Sequence, residues 1–212
     1  MFYSLLIAGI IVSAVTDMLV AARVGKRARY VSKPTTTILI AVLVALTPES
    51  VGRAYQVFLI AGLLFSVAGD VLLIDEASRL KPGVGCFFVA HLCYSAAFIS
   101  AGAAPGNPIV AVAAIAYGIW IVRYVWPYAA GFRGPAVAYT TVVLLMALLA
   151  GEAALASLLP RAGYAAFGAV LFVISDSLLS INHFVRRIPA KTVLVMTTYV
   201  AAQLLIAVSA AS

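Results

Sequence analysis

Two aspartates lie inside apolar segments where a carboxylate is costly. Asp70 stands in FSVAGDVLLI (65–74) and Asp176 in FVISDSLLSI (172–181). Either could simply lock helices together, but an ionisable residue inside a membrane segment is by default a functional hypothesis. If two carboxyl groups lie close together in low-dielectric surroundings, ionising both is costly. One then keeps its proton and can act as an acid, and the other can act as a base. Such a pair suits hydrolysis through an oxocarbenium-like intermediate, without a metal ion or a covalent nucleophile.

Further polar residues accompany these aspartates. Ser66 lies four residues before Asp70, and Ser180 lies four after Asp176, so each carboxylate should have a hydroxyl on its own helix face. Hydroxyls of this kind also serve as ordinary links between helices, and Lys33 could be a snorkelling residue at a helix mouth. With both aspartates as catalytic candidates, the supporting or substrate-binding candidates are Lys33, Ser66, His91, Tyr94, Tyr139, Ser180, Tyr199 and Gln203.

The composition indicates that these residues belong to an integral membrane protein. Of 212 residues, 65% are hydrophobic and only 10% charged, whereas a soluble domain is about half apolar and about a quarter charged. The net charge of +7 comes from basic residues between apolar runs, not from a basic face or tail, so no nucleic-acid partner is expected. Cys86 and Cys93 share one apolar segment and the chain has two histidines. The pattern therefore predicts no metal site, no cofactor and no disulfide framework.

Apolar segments divided by short polar loops predict the fold. The whole chain, 1–212, should form one all-α domain, a polytopic membrane bundle of eight transmembrane helices. Asp17 and the basic stretch that follows favour a retained first helix over a cleaved signal peptide. The predicted helices lie at roughly 2–22, 33–48, 54–74, 83–101, 108–126, 135–151, 162–183 and 189–210.

The distribution of basic residues predicts the orientation. Every Lys and Arg except Arg53 and Arg161 falls in or beside the loops that follow the odd-numbered helices. Positively charged loops stay in the cytoplasm. Both termini should therefore be non-cytoplasmic, and Asp70 and Asp176 should lie in the cytoplasmic half of the membrane. We expect the cell (inner) membrane.

A short segment recurs after half the chain. Residues 62–73 and 168–179 each contain a glycine, an aspartate eight positions later and then two leucines in the same places. Four predicted helices separate the copies, as in a parallel repeat of two four-helix halves. Convergent packing would produce the same match, and the sequence leaves both interpretations open.

Six segments carry a resemblance to a known family. They are SKPTTTILIA, GLLFSVAGDVLLI, FFVAHLCYSAAF, AVAYTTVVLLMALLA, GAVLFVISDSLLSINHF and YVAAQLLIA, in this order. The chain resembles the YhhN-like family of membrane proteins, whose animal members include lysoplasmalogenase. The family's paired aspartates fall on Asp70 and Asp176, its KP on Lys33-Pro34, and its H-L-x-Y on His91 and Tyr94.

The resemblance implies an eight-helix lipid hydrolase. Its substrate would be the lysophospholipid lysoplasmalogen, whose vinyl ether bond is cleaved to a fatty aldehyde and a glycerophospho-base. Its partners would be this substrate and membrane lipids, while the oligomeric state stays open. The alternatives are a solute or lipid transporter that uses the same aspartates, a non-catalytic lipid-binding protein, and a metal-dependent lipid hydrolase with His91 among its ligands.

Overall fold

The computed structural model describes residues 2–48, 50–209 and 211. All regular secondary structure within these residues is helical. The all-α prediction is therefore confirmed for these residues. A 3₁₀ turn at Leu73–Asp75 joins the third helix to the fourth, and a π-helical turn at Ile181–Val185 follows the seventh. The α-helices are α1 (Phe2–Arg23), α2 (Lys26–Leu46), α3 (Arg53–Leu72), α4 (Glu76–Ser100), α5 (Pro108–Val125), α6 (Arg133–Leu155), α7 (Ala162–Ser180) and α8 (Lys191–Val208).

Seven helical stretches within the described residues are long and apolar enough to cross a membrane. The longest, Arg53–Ser100, contains both α3 and α4. These two helices run antiparallel, because Gly62 faces Tyr94 and Gly69 faces Phe87. The chain is thus a multi-pass helical membrane protein, the architecture that keeps every backbone polar group hydrogen-bonded in lipid. Eight crossings and non-cytoplasmic termini stay predictions.

Six helices form a closed ring. Along it, α2 contacts α3, α3 contacts α4, α4 contacts α6, α6 contacts α7, α7 contacts α8, and α8 returns to α2. The two remaining helices lie outside, α1 against α2 and α8, and α5 against α6. Helices α1–α4 and α5–α8 therefore contact one another in the same order, and each half packs its last helix on the second helix of the other. This arrangement agrees with the repeated segments of the sequence.

Two helices begin earlier than the apolar pattern predicts. Helix α2 begins at Lys26 and not near 33, and α4 begins at Glu76 and not near 83, with a kink at Arg79, where the backbone is not helical. Hydropathy indicates where the chain leaves lipid, whereas hydrogen bonding determines where the helix ends. The consequence for the site is that Lys33 lies two turns inside α2.

Gly62 and Gly168, the glycines of the repeated segments, stand where helices approach most closely. A Cβ on Gly62 would overlap the ring of Tyr94, and one on Gly168 would lie 2.9 Å from the Ala202 carbonyl oxygen. The Tyr94 ring is buried and hydrogen-bonded, so a side chain at Gly62 would disturb the site. At Gly168 the obstacle is the backbone of α8, so a side chain there requires the two helices to separate.

Gly168→Ala should lower the free energy of unfolding by about 1–3 kcal/mol, because α7 and α8 must separate to admit the methyl group. The matched control is Gly163→Ala, also on α7, since a Cβ there meets nothing within 4 Å. Unfolding of both variants in detergent micelles measures the difference. Equal stability of the two would contradict the close packing of α7 on α8.

Candidate active site

Asp70 lies at the centre of a buried cluster formed by α2, α3 and α8. Its side chain is fully buried. Lys33 Nζ lies 3.2 Å from Oδ1, and the Lys33 side chain is only 11% exposed. Thr37 donates a hydrogen bond to Oδ2 at 2.7 Å, and Tyr199 donates to the same oxygen at 2.8 Å. An ammonium group and two hydroxyl donors are the environment of an ionised carboxylate.

A chain of hydrogen bonds extends from Asp70 across the ring. Gln203 Nε2 donates to the Tyr199 hydroxyl at 3.2 Å, and the Tyr94 hydroxyl donates to Gln203 Oε1 at 2.8 Å. The hydroxyls of Ser66 and Tyr94 are 3.1 Å apart. The Ser66 hydroxyl thus pairs with Tyr94 on α4, and its support of Asp70 stays a prediction. Ser66 reaches the carboxylate only through this chain.

Asp176 lies in a different environment, with 13% of its side chain exposed. The Tyr139 hydroxyl donates to Oδ2 at 2.8 Å, and His91 Nε2 lies 3.5 Å from the same oxygen. Ser180 was expected to support this carboxyl group, but Tyr139 supplies the hydroxyl from α6. Ser180 instead lines the cavities beside Asp176. Among the described residues, no Lys or Arg forms an ion pair with Asp176, in contrast to Asp70.

His91 is fully buried and its hydrogen bonding fixes its tautomer. Nδ1 lies 2.6 Å from the Phe87 carbonyl oxygen, which can only accept, so Nδ1 carries a hydrogen. In the neutral ring Nε2 then has a lone pair, and it finds no hydrogen-bond partner within the described segments. The ring packs against Phe172 at 4.6 Å and Tyr139 at 5.6 Å, and its complete burial disfavours a charged imidazolium. A lone pair that faces the Asp176 carboxyl group favours a proton on that carboxyl group.

The two aspartates line one cavity, which we call the polar cavity. It encloses about 510 Å³ of empty space, including its opening. Phe87 and Tyr199, whose ring centroids are 5.8 Å apart, form part of its wall. The other charged residues that line the polar cavity are Arg29, Lys33, Glu76 and Lys191.

Ion pairs lie at and beside the polar cavity. Arg29 Nη2 lies 2.9 Å from Oδ2 of the buried Asp17, and Lys191 pairs with Glu76 between the starts of α8 and α4. Glu76 lies in a polar stretch of the sequence, yet its side chain is three-quarters buried and paired. In the described ranges no group of three or more His, Cys, Asp and Glu side chains could hold a metal ion.

Sequence reasoning missed Thr37 as a partner of Asp70. A signal was present, because Thr37 follows Lys33 by four residues and so lies on the same face of α2. Of the predicted residues, Lys33 and Tyr199 contact Asp70, while Tyr139 and His91 contact or face Asp176. Hydrogen bonds link three of the other predicted residues to one another: Ser66, Tyr94 and Gln203.

A ring of membrane helices with two buried carboxyl groups in one cavity defines a multi-pass membrane protein with a candidate acid–base site. The model of the YhhN family matches residues 28–210. The chain therefore belongs to the YhhN family, and the resemblance identified from the sequence is confirmed.

Curated relatives agree with this assignment. The pig protein Lysoplasmalogenase TMEM86B (Sus scrofa) is 33% identical over 179 residues, which cover 81% of this chain and 71% of the relative. The human Lysoplasmalogenase TMEM86B (Homo sapiens) is 33% identical over 156 residues, covering 74% and 64% of the two chains. The Escherichia coli membrane protein YhhN is 29% identical over 178 residues, covering 84% and 85%. No solved structure matches.

Proposed function

We propose that this protein is a lysophospholipid hydrolase of the lysoplasmalogenase type, which cleaves the vinyl ether bond of lysoplasmalogen to a fatty aldehyde and a glycerophospho-base. One observation carries the proposal: a single cavity contains an aspartate paired with Lys33 and a second aspartate that faces the lone pair of a neutral histidine. The names of the pig and human relatives supply the reaction. The same names give no support to the transporter alternative.

Asp176 acts as the general acid. Its proton passes to the vinyl carbon that is not bonded to oxygen, which leaves an oxocarbenium ion between the other vinyl carbon and the ether oxygen. Two contacts support this role. His91 Nε2 faces the carboxyl oxygen as an acceptor, and Tyr139 donates to that oxygen, so the group remains hydrogen-bonded before and after it loses its proton.

Asp70 acts as the general base. The Lys33 ammonium group, 3.2 Å from Oδ1, keeps it ionised, and Oδ2 accepts hydrogen bonds from Thr37 and Tyr199. Because this carboxylate lines the polar cavity, it takes a proton from water as the water oxygen attacks the oxocarbenium carbon. The product is a hemiacetal, and Asp70 is then protonated while Asp176 is ionised.

Collapse of the hemiacetal restores both groups. The hemiacetal hydroxyl gives its proton to Asp176 as the carbon–oxygen bond to glycerol breaks, and the departing glycerol oxygen takes the proton from Asp70. The sum is one water consumed, with one aldehyde and one alcohol released. Tyr199, Gln203 and Tyr94 act as positioning residues, because they fix Asp70 through the hydrogen-bond chain and do not reach Asp176.

The proposal includes a membrane arrangement. The eight α-helices cross the cell (inner) membrane eight times, with both termini non-cytoplasmic and the polar cavity in the cytoplasmic half. The support is that the cavity lies beside the ends of helices that carry basic residues, among them Arg29 and Lys191. Basic residues of this kind are retained on the cytoplasmic side.

The test is product formation by the purified protein in detergent, where no gradient can drive transport. Incubation with a lysoplasmenyl lipid should release fatty aldehyde, whereas the acyl lysolipid with the same headgroup should release none. Mass spectrometry detects both products. A chelator should not change the rate, because hydrolysis at this site needs no metal. Failure to release aldehyde from any vinyl ether lysolipid would overturn the proposal.

A further inference from the structure

A second cavity, which we call the apolar cavity, adjoins the polar cavity. It lies among the starts of α4 and α6 and the ends of α5 and α7, and encloses about 730 Å³ of empty space including its opening. Most of its wall consists of hydrocarbon side chains, including Val84, Ile121, Val125, Ala129, Phe132 and Ala136.

The two cavities meet at Asp176. Four residues line both: Leu73, Phe87, Asp176 and Leu179. Three of the four are apolar, so the carboxyl group of Asp176 is the polar element in the shared wall. The paired cations and carboxylates lie on one side of it, and hydrocarbon surface predominates on the other.

We infer that the apolar cavity binds the hydrocarbon chain of the lysolipid while the polar cavity holds its glycerophosphate part. This inference rests on the proposed function and assigns the substrate's orientation in the same site. The vinyl ether joins chain to glycerol, so a lipid that spans both cavities places its reactive double bond beside Asp176.

The charges of the two cavities support this orientation. Apart from Arg133, whose guanidinium lies over the Trp126 ring, and His183, the apolar cavity offers a phosphate group mainly carbon atoms, where the loss of its hydration is costly. In the polar cavity Arg29 and Lys191 are available as donors, each already held in place by a carboxylate. The reverse orientation would also bury the hydrocarbon chain among three ion pairs.

The test uses Ala136→Phe, which adds a ring inside the apolar cavity. The matched control is Ala138→Phe, the same change two residues along α6, where the side chain is exposed and lines none of the cavities described. For lysoplasmenyl lipids with one headgroup and a series of chain lengths, Ala136→Phe should lower kcat/KM for the longest chain about tenfold more than for the shortest. Ala138→Phe should keep the wild-type dependence of kcat/KM on chain length.

A second variant on another helix and a binding measurement complete the test. Val84→Trp fills the same cavity from α4 and should shift the chain-length preference in the same direction. Binding is measured with alkyl-ether lysolipids of each chain length, which lack the vinyl ether bond. The readout is the rise in the Tm of each variant when the lipid is added. Long chains should stabilise wild type and Ala138→Phe more than they stabilise Ala136→Phe or Val84→Trp.

The outcomes separate this inference from the proposed function. If the filled variants lose hydrolysis and binding equally for all chain lengths, or lose neither, the apolar cavity does not hold the chain. If wild type releases no aldehyde but shows the chain-length effect on Tm, the assignment of the cavity stands and the hydrolase proposal fails. If no lysolipid stabilises the wild type, the inference is overturned.

Discussion

Asp176→Asn should reduce aldehyde release from a lysoplasmenyl lipid by about 10²–10⁴-fold, the contribution typical of one general acid or base. The amide occupies the same volume and can still accept the hydrogen bond from Tyr139, but it has no acidic proton to give to the vinyl carbon. Asp70→Asn should cause a loss in the same range, because an amide cannot take a proton from the attacking water. Aldehyde release by purified protein in detergent measures both.

The matched control is Asp75→Asn. Asp75 follows Asp70 by five residues, and its exposed carboxylate pairs with Lys26 and Ser78 at the surface. This variant should hydrolyse the lipid at the wild-type rate. Gel filtration and unfolding of each variant distinguish a lost group from a lost fold. Full activity of a folded Asp70→Asn or Asp176→Asn protein would show that the pair does not carry out the reaction.

The sequence allowed the positions of the aspartates to be predicted because a charge inside a long apolar run is conspicuous. It named four of their partners as candidates, but it did not show which aspartate each would contact. Ser66 lies one turn from Asp70 on the same helix, yet its hydroxyl meets Tyr94 on the neighbouring helix. Partner choice depends on how each helix is rotated and on which side chains the next helix presents. The spacing of residues within one segment gives no information about the rotation of the helix or about the side chains of the neighbouring helix.

The two residues that differentiate the aspartates come from other helices. Lys33 reaches Asp70 from α2, and His91 faces Asp176 from α4. The repeated segments at 62–73 and 168–179 suggest two equivalent carboxyl groups. The structure makes them unequal, because the residue that corresponds to Lys33 in the second half, 106 positions later, is Tyr139. An ammonium group thus stands beside one aspartate and a phenol beside the other.

The apolar pattern also misplaced the start of α2. The basic stretch before residue 33 looked like a loop because its hydropathy is low, but it forms two helical turns. Within those turns Arg29 reaches Asp17, and Lys33 reaches Asp70 one turn later. The helix extends beyond the apolar segment because these buried carboxylates compensate its charges.

Lys33→Met should destabilise the protein by about 3–5 kcal/mol, the cost of leaving a buried charge without its partner. Met keeps the length and most of the volume of the lysine side chain, so the change removes the ammonium group with little loss of packing. Hydrolysis should also fall, because an unpaired Asp70 relieves the cost by taking up a proton and then cannot act as a base. Unfolding and aldehyde release in the same detergent measure the two effects.

The double variant Lys33→Met/Asp70→Asn separates these effects. It removes both charges, and replacing a buried ion pair by uncharged groups of similar volume is often neutral or stabilising. Its stability should therefore return towards that of wild type while hydrolysis stays low. Lys26→Met, at the exposed pair with Asp75, serves as the control and should change neither quantity. If the double variant is no more stable than Lys33→Met, the ammonium group does not act through Asp70, and the assignment of Asp70 as the ionised base loses its support.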